Sequence, residues 1–166
     1  MYAPLDNIPR YAVPILPWVM ALIAAAIWPR RSRAAGRPRS TDQRLIEAAN
    51  AAYHEAEAEL YDAAHPEILW CERAHWEAFA ARHLPGERQA VTILDVAAGT
   101  GFVGAVLAPR LRAGDRYIAT DISSEMLEKL RGSLSAASFQ VETAVAPADR
   151  LPMADSCADV VVINSA

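Results

Sequence analysis

The sequence predicts an α/β fold in which a doubly wound parallel sheet of about four strands, incomplete at one edge, follows several helices and an apolar amino-terminal helix. Over residues 87–166, short apolar runs rich in β-branched residues alternate with helical segments. A glycine-rich turn follows the first of these runs, where a buried strand would pass into a helix. The 166 residues are enough for one domain with an apolar core.

The first element, within residues 1–29, is an apolar segment at residues 11–28 that carries no charge. As one helix it would be about 27 Å long, close to the roughly 30 Å hydrocarbon core of a bilayer. The arginine-rich linker of residues 30–40 would then hold the following domain in the cytoplasm. Because Pro14 and Pro17 shorten the continuous helix, an interfacial helix and a non-native amino terminus are the alternatives. Without an anchor, the protein would be cytoplasmic.

Residues 41–86 are predicted to form a helical lead-in. We expect Thr41 or Asp42 to cap a helix that ends near Ala64, and Pro66 to separate it from a second helix at residues 67–83. Apolar residues at helical spacing predict an inward-facing stripe along these helices. Its members are Leu45, Ala48, Ala49, Ala52, Ala56, Leu60, Ala63, Ile68, Leu69, Trp76 and Phe79.

The lead-in also carries acidic and aromatic side chains. The acidic ones are expected to form a solvated face; they are Glu55, Glu57 and Glu59. The aromatic ones are expected in the core, with the lining of a pocket as the alternative; they are Tyr53, Tyr61 and Trp70.

Four strands and two intervening helices are expected in the second half of the chain. The strands lie at residues 90–97, 117–122, 139–145 and 159–163, and the helices at residues 102–111 and 124–134. Their alternation predicts parallel strands joined by crossover helices. In such a sheet the ligand crevice opens at the carboxyl ends of the strands, where the strand order reverses.

The turn after the first strand reads G-x-G-x-x-G from Gly99 to Gly104. Glycines let the backbone approach a ligand closely, and the helix that follows presents free N–H groups. We assign Gly104 to helix packing. A carboxylate at Asp121, where the second strand ends, could accept hydrogen bonds from two ribose hydroxyls. The pattern therefore fits any adenosine-type cofactor, including a nicotinamide dinucleotide.

Asp95 separates the two kinds of cofactor. A carboxylate within a buried strand is costly unless it meets a partner near the ligand. It is favourable where it can pair with a cationic group of the ligand or with the amides of the loop. A dinucleotide pyrophosphate is negatively charged, so the carboxylate would repel it. Asp95 therefore argues against a nicotinamide dinucleotide.

Four elements stand in a fixed order along the chain. They are D-x-A-x-G-x-G from Asp95, the strand-ending Asp121, A-D-x-L-P from Ala148, and x-D-V-V-V around Asp159. Together they resemble the class I S-adenosylmethionine-dependent methyltransferases, and they are most similar to the small-molecule group that includes quinone-biosynthesis C-methyltransferases. The resemblance covers about residues 92–165. It implies a Rossmann-like fold, S-adenosyl-L-methionine as the cofactor, and methyl transfer to a small molecule, lipophilic if the protein is tethered to a membrane.

The resemblance also implies which residues bind the cofactor. Those of the first loop would wrap its methionine part; they are Asp95, Ala97, Gly99, Thr100 and Gly101. Asp121 would hold the ribose. Ile122 would pack on the adenine, and Asp149, with Ala148 beside it, would contact the adenine amino group.

Asn164 would lie near the reactive methyl group, again by resemblance. The resemblance indicates no general base. His54 and His65, on the lead-in, are the candidates that we retain for that role.

Members of this family normally continue beyond the fourth strand, with a fifth strand and an antiparallel pair that carry much of the substrate pocket. This sequence stops at Ala166. We therefore expect the chain to supply the cofactor-binding half, with residues 160–163 forming an apolar sheet edge that a partner chain could cover. The alternatives are a non-catalytic cofactor-binding or assembly module and an NAD(P)-binding oxidoreductase fragment.

Composition argues against several other classes. Six of the sixteen basic residues fall within residues 1–40, so the rest of the chain is acidic, which disfavours a nucleic-acid substrate. The four histidines lack metal-ligand spacing, so no metal site is expected. Cys71 and Cys157 are expected to be reduced thiols.

Overall fold

The computed structural model describes residues 40–66 and 68–164. The predicted anchor at residues 11–28 and nearly all of the predicted linker lie outside these residues. Within the described part of the chain, the helices are too short or too polar to cross a membrane.

The described chain contains five α-helices and four strands; the strands and the two helices between them occur in the predicted order, whereas the lead-in has three α-helices where two were expected. The lead-in holds α1 (Thr41–Glu57), α2 (Tyr61–Ala64), a π-helical turn (Ile68–Glu72) and α3 (Arg73–His83). The sheet region follows with β1 (Thr92–Val96), α4 (Phe102–Leu107), a 3₁₀ turn (Ala108–Arg110), β2 (Arg116–Asp121), α5 (Ser124–Ser133), β3 (Gln140–Val145) and β4 (Val160–Ile163).

All strand pairs of the sheet are parallel, and their order is β3-β2-β1-β4. The chain moves outward from β1 to β3 and then crosses to the other side of β1, so the strand order reverses between β1 and β4. The predicted α/β fold is therefore confirmed, and the expected crevice lies at the carboxyl ends of these two strands. Among the described residues β4 pairs with β1 alone, which leaves its outer side as a sheet edge.

Alternation along β1 sends side chains into two apolar clusters. Ile93 faces α3, α4 and α5, where it packs with Trp76 and Tyr117 in the larger cluster. Leu94 and Val96 point to the opposite face, which residues of the segment before β4 cover; these are Leu151, Met153 and Ala158. Asp95 shares the face of Ile93, so its carboxylate enters the helix-covered side of the sheet.

The start of α1 differs from the prediction. Ser40, not Thr41 or Asp42, is the N-cap: its hydroxyl accepts a hydrogen bond from the Gln43 amide at 3.2 Å. The Gln43 side chain accepts one in return from the Ser40 amide at 3.1 Å, which completes a capping box. The helix also ends at Glu57, before the expected Ala64.

The predicted inward stripe is wrong for α1, where no residue is buried. Leu45 is 64% exposed, and Leu60 beyond the helix is 68% exposed. In the second helical stretch, Trp76 and Phe79 are buried, as predicted. The reason for the difference is that α3 packs on α4, whereas α1 meets the body mainly along α5. The side chains of Ile68 and Leu69 lie outside the description.

The expected core position is also wrong for two aromatic residues of the lead-in. Tyr53 is 61% exposed and Trp70 is 81% exposed. Tyr61 is half-buried and lines a cleft, which was the alternative.

Candidate functional site

A cleft of about 430 Å³ opens at the carboxyl ends of β1, β2 and β4. This volume falls within the range of small-molecule sites, about 300–1,000 Å³. Eight of the ten residues that the sequence singled out line it: Asp95, Ala97, Gly99, Thr100, Asp121, Ile122, Ala148 and Asn164. Gly101 and Asp149 are not among the lining residues. The topology thus brings together side chains that lie up to 69 positions apart, from Asp95 to Asn164.

Other lining residues had no specific role in the sequence interpretation. Several are apolar and belong to α4, α5 and the loop after β3; they are Phe102, Val103, Met126, Ala146 and Pro147. The lead-in contributes Asn50, which had no such role either, together with His54, the candidate base, and Tyr61, for which pocket lining was the alternative. Asn50 and His54 lie four residues apart on α1, so they share a helix face. That spacing is the signal that could have identified Asn50.

The glycine loop between β1 and α4 has a left-handed backbone at three positions. Ala97, Gly99 and Gly101 have φ values of 55°, 53° and 93°. At Gly101, a Cβ atom would lie 2.7 Å from Cγ of Leu130 on α5. Because this position combines a positive φ with a close approach, it requires glycine. Gly101 therefore shapes the loop from behind and does not itself face the cleft.

The carboxylate of Asp121 ties the end of β2 to the loop. Its Oδ2 accepts a hydrogen bond from the Gly99 amide at 2.8 Å, and its Oδ1 accepts one from the Ser123 amide at 2.9 Å. Asp121 is 7% exposed and lines the cleft. Each carboxylate oxygen can accept a further hydrogen bond, so the side chain can fix the loop and still receive hydroxyl donors from a ligand.

Asp95 is fully buried at the floor of the cleft. The hydroxyl of Tyr117 donates a hydrogen bond to Oδ2, whereas Oδ1 has no hydrogen-bond partner among the described residues. Burial raises the pKa of Asp95 to about 7; the Tyr117 hydrogen bond opposes this rise, and the nearby charge of Asp121 adds to it. Of the two kinds of partner considered for Asp95, a cationic group or the loop amides, the amide of Gly99 is not available, because its N–H donates to Asp121.

Glu57, at the end of α1, organises the two histidine candidates. Its Oε1 accepts a hydrogen bond from the Tyr53 hydroxyl at 3.1 Å and lies 3.2 Å from Nε2 of His65. Its Oε2 lies 3.8 Å from Nδ1 of His54. The Glu57 side chain is 17% exposed, so its predicted place on a solvated face is wrong, whereas Glu59 is 82% exposed. His54 lines the cleft; His65 is not among the lining residues.

Two further hydrogen bonds connect the cleft to the lead-in. Nε1 of the buried Trp76 on α3 donates to Oδ1 of Asn164 at 2.9 Å, and this bond holds the asparagine that follows β4. The hydroxyl of Thr100 in the glycine loop donates to Oδ1 of Asp62 on α2 at 2.7 Å. The lead-in helices are therefore bonded directly to two of the predicted site residues.

The chemistry of the lining favours a cationic ligand over a pyrophosphate. Two carboxylates, Asp95 and Asp121, face the cleft, and its described lining includes no lysine or arginine. The free Oδ1 of Asp95 is a buried acceptor that a cationic donor would satisfy. The residues present thus fit a ligand that joins an adenosine part to an amino acid.

This fold and this cleft define a Rossmann-like domain for an adenosine-type cofactor. Residues 93–166 match a family model described as "Methyltransferase domain". This region of the chain is therefore similar to methyltransferase domains, and its Rossmann-like fold is the one found in the S-adenosylmethionine-dependent enzymes of that class.

The chain is similar to two curated relatives. It is 34% identical over 93 residues to the ubiquinone/menaquinone biosynthesis C-methyltransferase of Geotalea uraniireducens, which covers 53% of this chain and 38% of that protein. The corresponding protein of Geotalea daltonii is 33% identical over the same shares. The chain thus spans well under half the length of these relatives.

Solved structures show the same fold. The phosphoethanolamine N-methyltransferase 1 of Haemonchus contortus matches with a TM-score of 0.52 and 19% identity, over 78% of this chain and 27% of that one. A putative S-adenosylmethionine-dependent methyltransferase of Methanococcus maripaludis matches with a TM-score of 0.50 and 20% identity, over 68% of this chain and 50% of that one.

Proposed function

We propose that the chain binds S-adenosylmethionine in the cleft and takes part in methyl transfer to a small, lipophilic molecule. The observation that carries this proposal is the arrangement of Asp95 and Asp121 on either side of the glycine loop at the strand-order reversal. A nicotinamide dinucleotide is the poorer fit because the buried carboxylate of Asp95 would face its pyrophosphate.

We propose the following roles for the residues, on the resemblance to the methyltransferases. Asp95 and the loop residues Ala97, Gly99 and Thr100 would hold the amino-acid part of the cofactor. Asp121 would accept the ribose hydroxyls. Ile122 and Ala148 would flank the adenine, with Asn164 near the reacting end. Gly101 would act by shaping the loop, and Asp149 would reach the adenine from outside the described lining.

When bound, the cofactor supplies an activated methyl group on a sulfonium centre. The protein's part is to align the two reactants and to exclude water. Apolar side chains such as Phe102 and Met126 make the cleft wall suitable for both tasks. His54 is our candidate for accepting a proton from the methyl acceptor, because it lines the cleft and Glu57 lies beside its Nδ1.

Two features support the class of acceptor. The curated relatives are named as C-methyltransferases of quinone biosynthesis, and quinones are small lipophilic molecules. The lining itself is largely apolar.

Calorimetric titration with S-adenosylhomocysteine, the product form of the cofactor, tests binding. We expect the wild-type chain to bind it in preference to NADH. Gly99→Val should abolish binding, because the new side chain would stand in the cleft at a backbone φ of 53° that valine disfavours. Gly132→Val is the matched control: this α5 glycine has open space around it and lies outside the cleft lining. Binding of NADH alone would refute the proposal.

We also propose that residues 11–28 attach the protein to a membrane. Their uncharged apolar sequence and the arginines that follow support this attachment. Leu22→Asp, in the middle of the segment, should reduce co-sedimentation with anionic phospholipid vesicles. Leu45→Asp, at an exposed leucine of α1, is the matched control and should leave it unchanged. Equal vesicle binding by wild type and Leu22→Asp would refute the attachment.

A further inference from the structure

Tyr117 lies on β2 beneath the site and is fully buried. Its ring stands 6.4 Å from that of Phe139, and its hydroxyl donates a hydrogen bond to Oδ2 of Asp95. A buried phenol usually has a partner for its hydroxyl, and a buried parallel strand usually carries aliphatic side chains. In this sheet, the hydroxyl of Tyr117 on β2 is directed to the carboxylate of Asp95 on β1.

Gly104 makes room for this hydroxyl. A Cβ atom at Gly104 would lie 2.9 Å from both Cζ and Oη of Tyr117. The same Cβ atom would lie 2.9 Å from Cδ1 of Leu134. The assignment of Gly104 to helix packing is thus confirmed, and the groups that it accommodates are Leu134 and the Tyr117 hydroxyl that reaches Asp95.

The result is that one carboxylate oxygen of Asp95 is held. The Tyr117 hydroxyl donates to Oδ2 of Asp95, and the absence of a side chain at Gly104 leaves room for that hydroxyl. With Oδ2 held from below, the pair therefore leaves one buried carboxylate oxygen, Oδ1, without a partner among the described residues, on a residue that lines the cleft.

We propose that Tyr117 is a positioning residue that holds Asp95 for the ammonium group of the cofactor's amino-acid part. This inference rests on the proposed function, since it requires a cofactor with such a group. Tyr117 touches no ligand itself and acts through Asp95. Without its hydroxyl, the carboxylate would be free to rotate and would lose a donor that favours its ionised form.

Other titratable groups face Asp95 from the elements around it. Asp121 at the end of β2 disfavours the Asp95 anion, and His54 and Tyr61 line the same cleft from α1 and α2. Asn164 after β4 is neutral. Burial raises the pKa of Asp95 to about 7, so an ammonium ligand should bind more tightly as the pH rises through that value and the carboxylate ionises. Because the Tyr117 hydrogen bond lowers this pKa, its removal should shift the rise in affinity to higher pH.

The test compares two ligands on the full chain by calorimetry, at several pH values between about 6 and 8. S-adenosylhomocysteine carries the ammonium group, and 5′-methylthioadenosine lacks the whole amino-acid part. We expect Tyr117→Phe to weaken the binding of S-adenosylhomocysteine about fivefold near pH 7, because loss of the Tyr117 hydrogen bond raises the pKa of Asp95 and lowers its ionised fraction there. Its affinity for methylthioadenosine should not change. Tyr53→Phe, which removes a hydroxyl that bonds to Glu57, is the matched control and should affect neither ligand.

The outcomes are distinguishable. Equal weakening of both ligands by Tyr117→Phe would show a purely structural role, and no weakening of either would show no role; each overturns the proposal. If the wild-type chain binds neither ligand, the proposed function fails and this inference falls with it.

Two further measurements keep the proposal testable if Tyr117→Phe does not fold. In the wild type, the affinity for S-adenosylhomocysteine should rise with pH and that for methylthioadenosine should stay flat. Gly104→Ala, which presses a methyl group against the phenol, should give the same selective loss. A flat pH profile for both ligands in the wild type would also overturn the proposal.

Discussion

The backbone N–H of Gly99 donates a hydrogen bond to Oδ2 of Asp121 across 2.8 Å. This bond joins the loop after β1 to the last residue of β2, 22 positions along the chain. The sequence assigned Gly99 to the methionine part of the cofactor and Asp121 to its ribose, and a hydrogen bond joins these two residues directly. A change at Asp121 should alter both the contact with the ribose and the shape of the loop.

Asp121→Ala should lower the affinity for S-adenosylhomocysteine by at least about tenfold. The variant loses the carboxylate and leaves the amides of Gly99 and Ser123 without their acceptor, at a cost of about 1–3 kcal/mol for each such group that stays buried. Calorimetry measures the affinity, and thermal denaturation measures the loss of stability. Asp155→Ala removes an exposed aspartate outside the cleft lining and should change neither. Unchanged affinity in Asp121→Ala would contradict the assigned role.

The sheet and most of the cleft could be predicted because the signals are local. Runs of β-branched residues identify buried strands, and Asp121 stands at the end of such a run. Parallel crossover topology then brings the ends of β1, β2 and β4 to one edge. Predicting Ser40 as the N-cap was within reach too, since Ser40 and Gln43 have the spacing of a capping box.

The partner of Asp95 could not be predicted because it depends on strand register. Tyr117 lies opposite Ile93, and its hydroxyl reaches a carboxylate two residues further along β1. The exposure of Leu45 likewise depends on what packs against α1, which the periodicity of one helix does not reveal. In the sequence, Glu57 could not be told apart from Glu55 and Glu59. Its contact with His65 depends on the turn after α1, which the sequence pattern does not reveal.

Asp95→Asn should change how stability depends on pH. The pKa of Asp95 is about 7 in the native state against an ordinary value of 3.8, so between these values the folded chain holds a proton that the unfolded chain has lost. The free energy of unfolding should therefore fall as the pH rises from about 4 to about 7, by at most about 1.4 kcal/mol per pH unit. The asparagine variant lacks this contribution.

Urea denaturation of both proteins at a series of pH values measures the effect without ligand. We expect the stability of Asp95→Asn relative to the wild type to increase steadily across this window. Taking the difference removes the contribution of the other ionisable groups, which both proteins share. A constant difference between about pH 4 and 7 would mean that Asp95 is ionised throughout.

Asp115→Ala should destabilise the fold at the end of the sheet opposite the cleft. The carboxylate, which is fully buried, accepts hydrogen bonds from Arg88 at 2.7 Å and from the amides of Val91 and Arg112, both at 2.9 Å. Its removal leaves the largely buried guanidinium without its partner, at a cost of about 3 kcal/mol. Glu142→Ala is the control, because Glu142 and Arg116 form an exposed ion pair that contributes little.

Asp115 should also make the free energy of unfolding decrease in acid. The Arg88 hydrogen bond holds the pKa of Asp115 at about 2, below the ordinary 3.8. A lowered pKa contributes stability that is fully present above about 4 and is lost as the pH falls towards 2. The gap between wild type and Asp115→Ala in chemical denaturation should therefore narrow over this range. If the gap is already closed at neutral pH, the ion pair contributes nothing to stability.

Asp62→Ala should weaken cofactor binding from outside the cleft. Oδ1 of Asp62 on α2 accepts the 2.7 Å hydrogen bond from Thr100, which is 8% exposed in the glycine loop. Without it, the loop loses its hydrogen bond to the lead-in, and we expect a few-fold lower affinity for S-adenosylhomocysteine, about 1 kcal/mol, with faster dissociation.

A double-mutant comparison tests whether this bond is the cause. Thr100→Val, which removes the donor and keeps the shape, should have the same effect, and the double variant should bind no more weakly than either single variant. Glu59→Ala breaks the exposed ion pair with Lys129 nearby and should not affect binding. Stopped-flow measurement gives the dissociation rate of S-adenosylhomocysteine for each variant. If the effects of the two substitutions add in the double variant, Asp62 and Thr100 act separately, and the lead-in does not hold the loop through this bond.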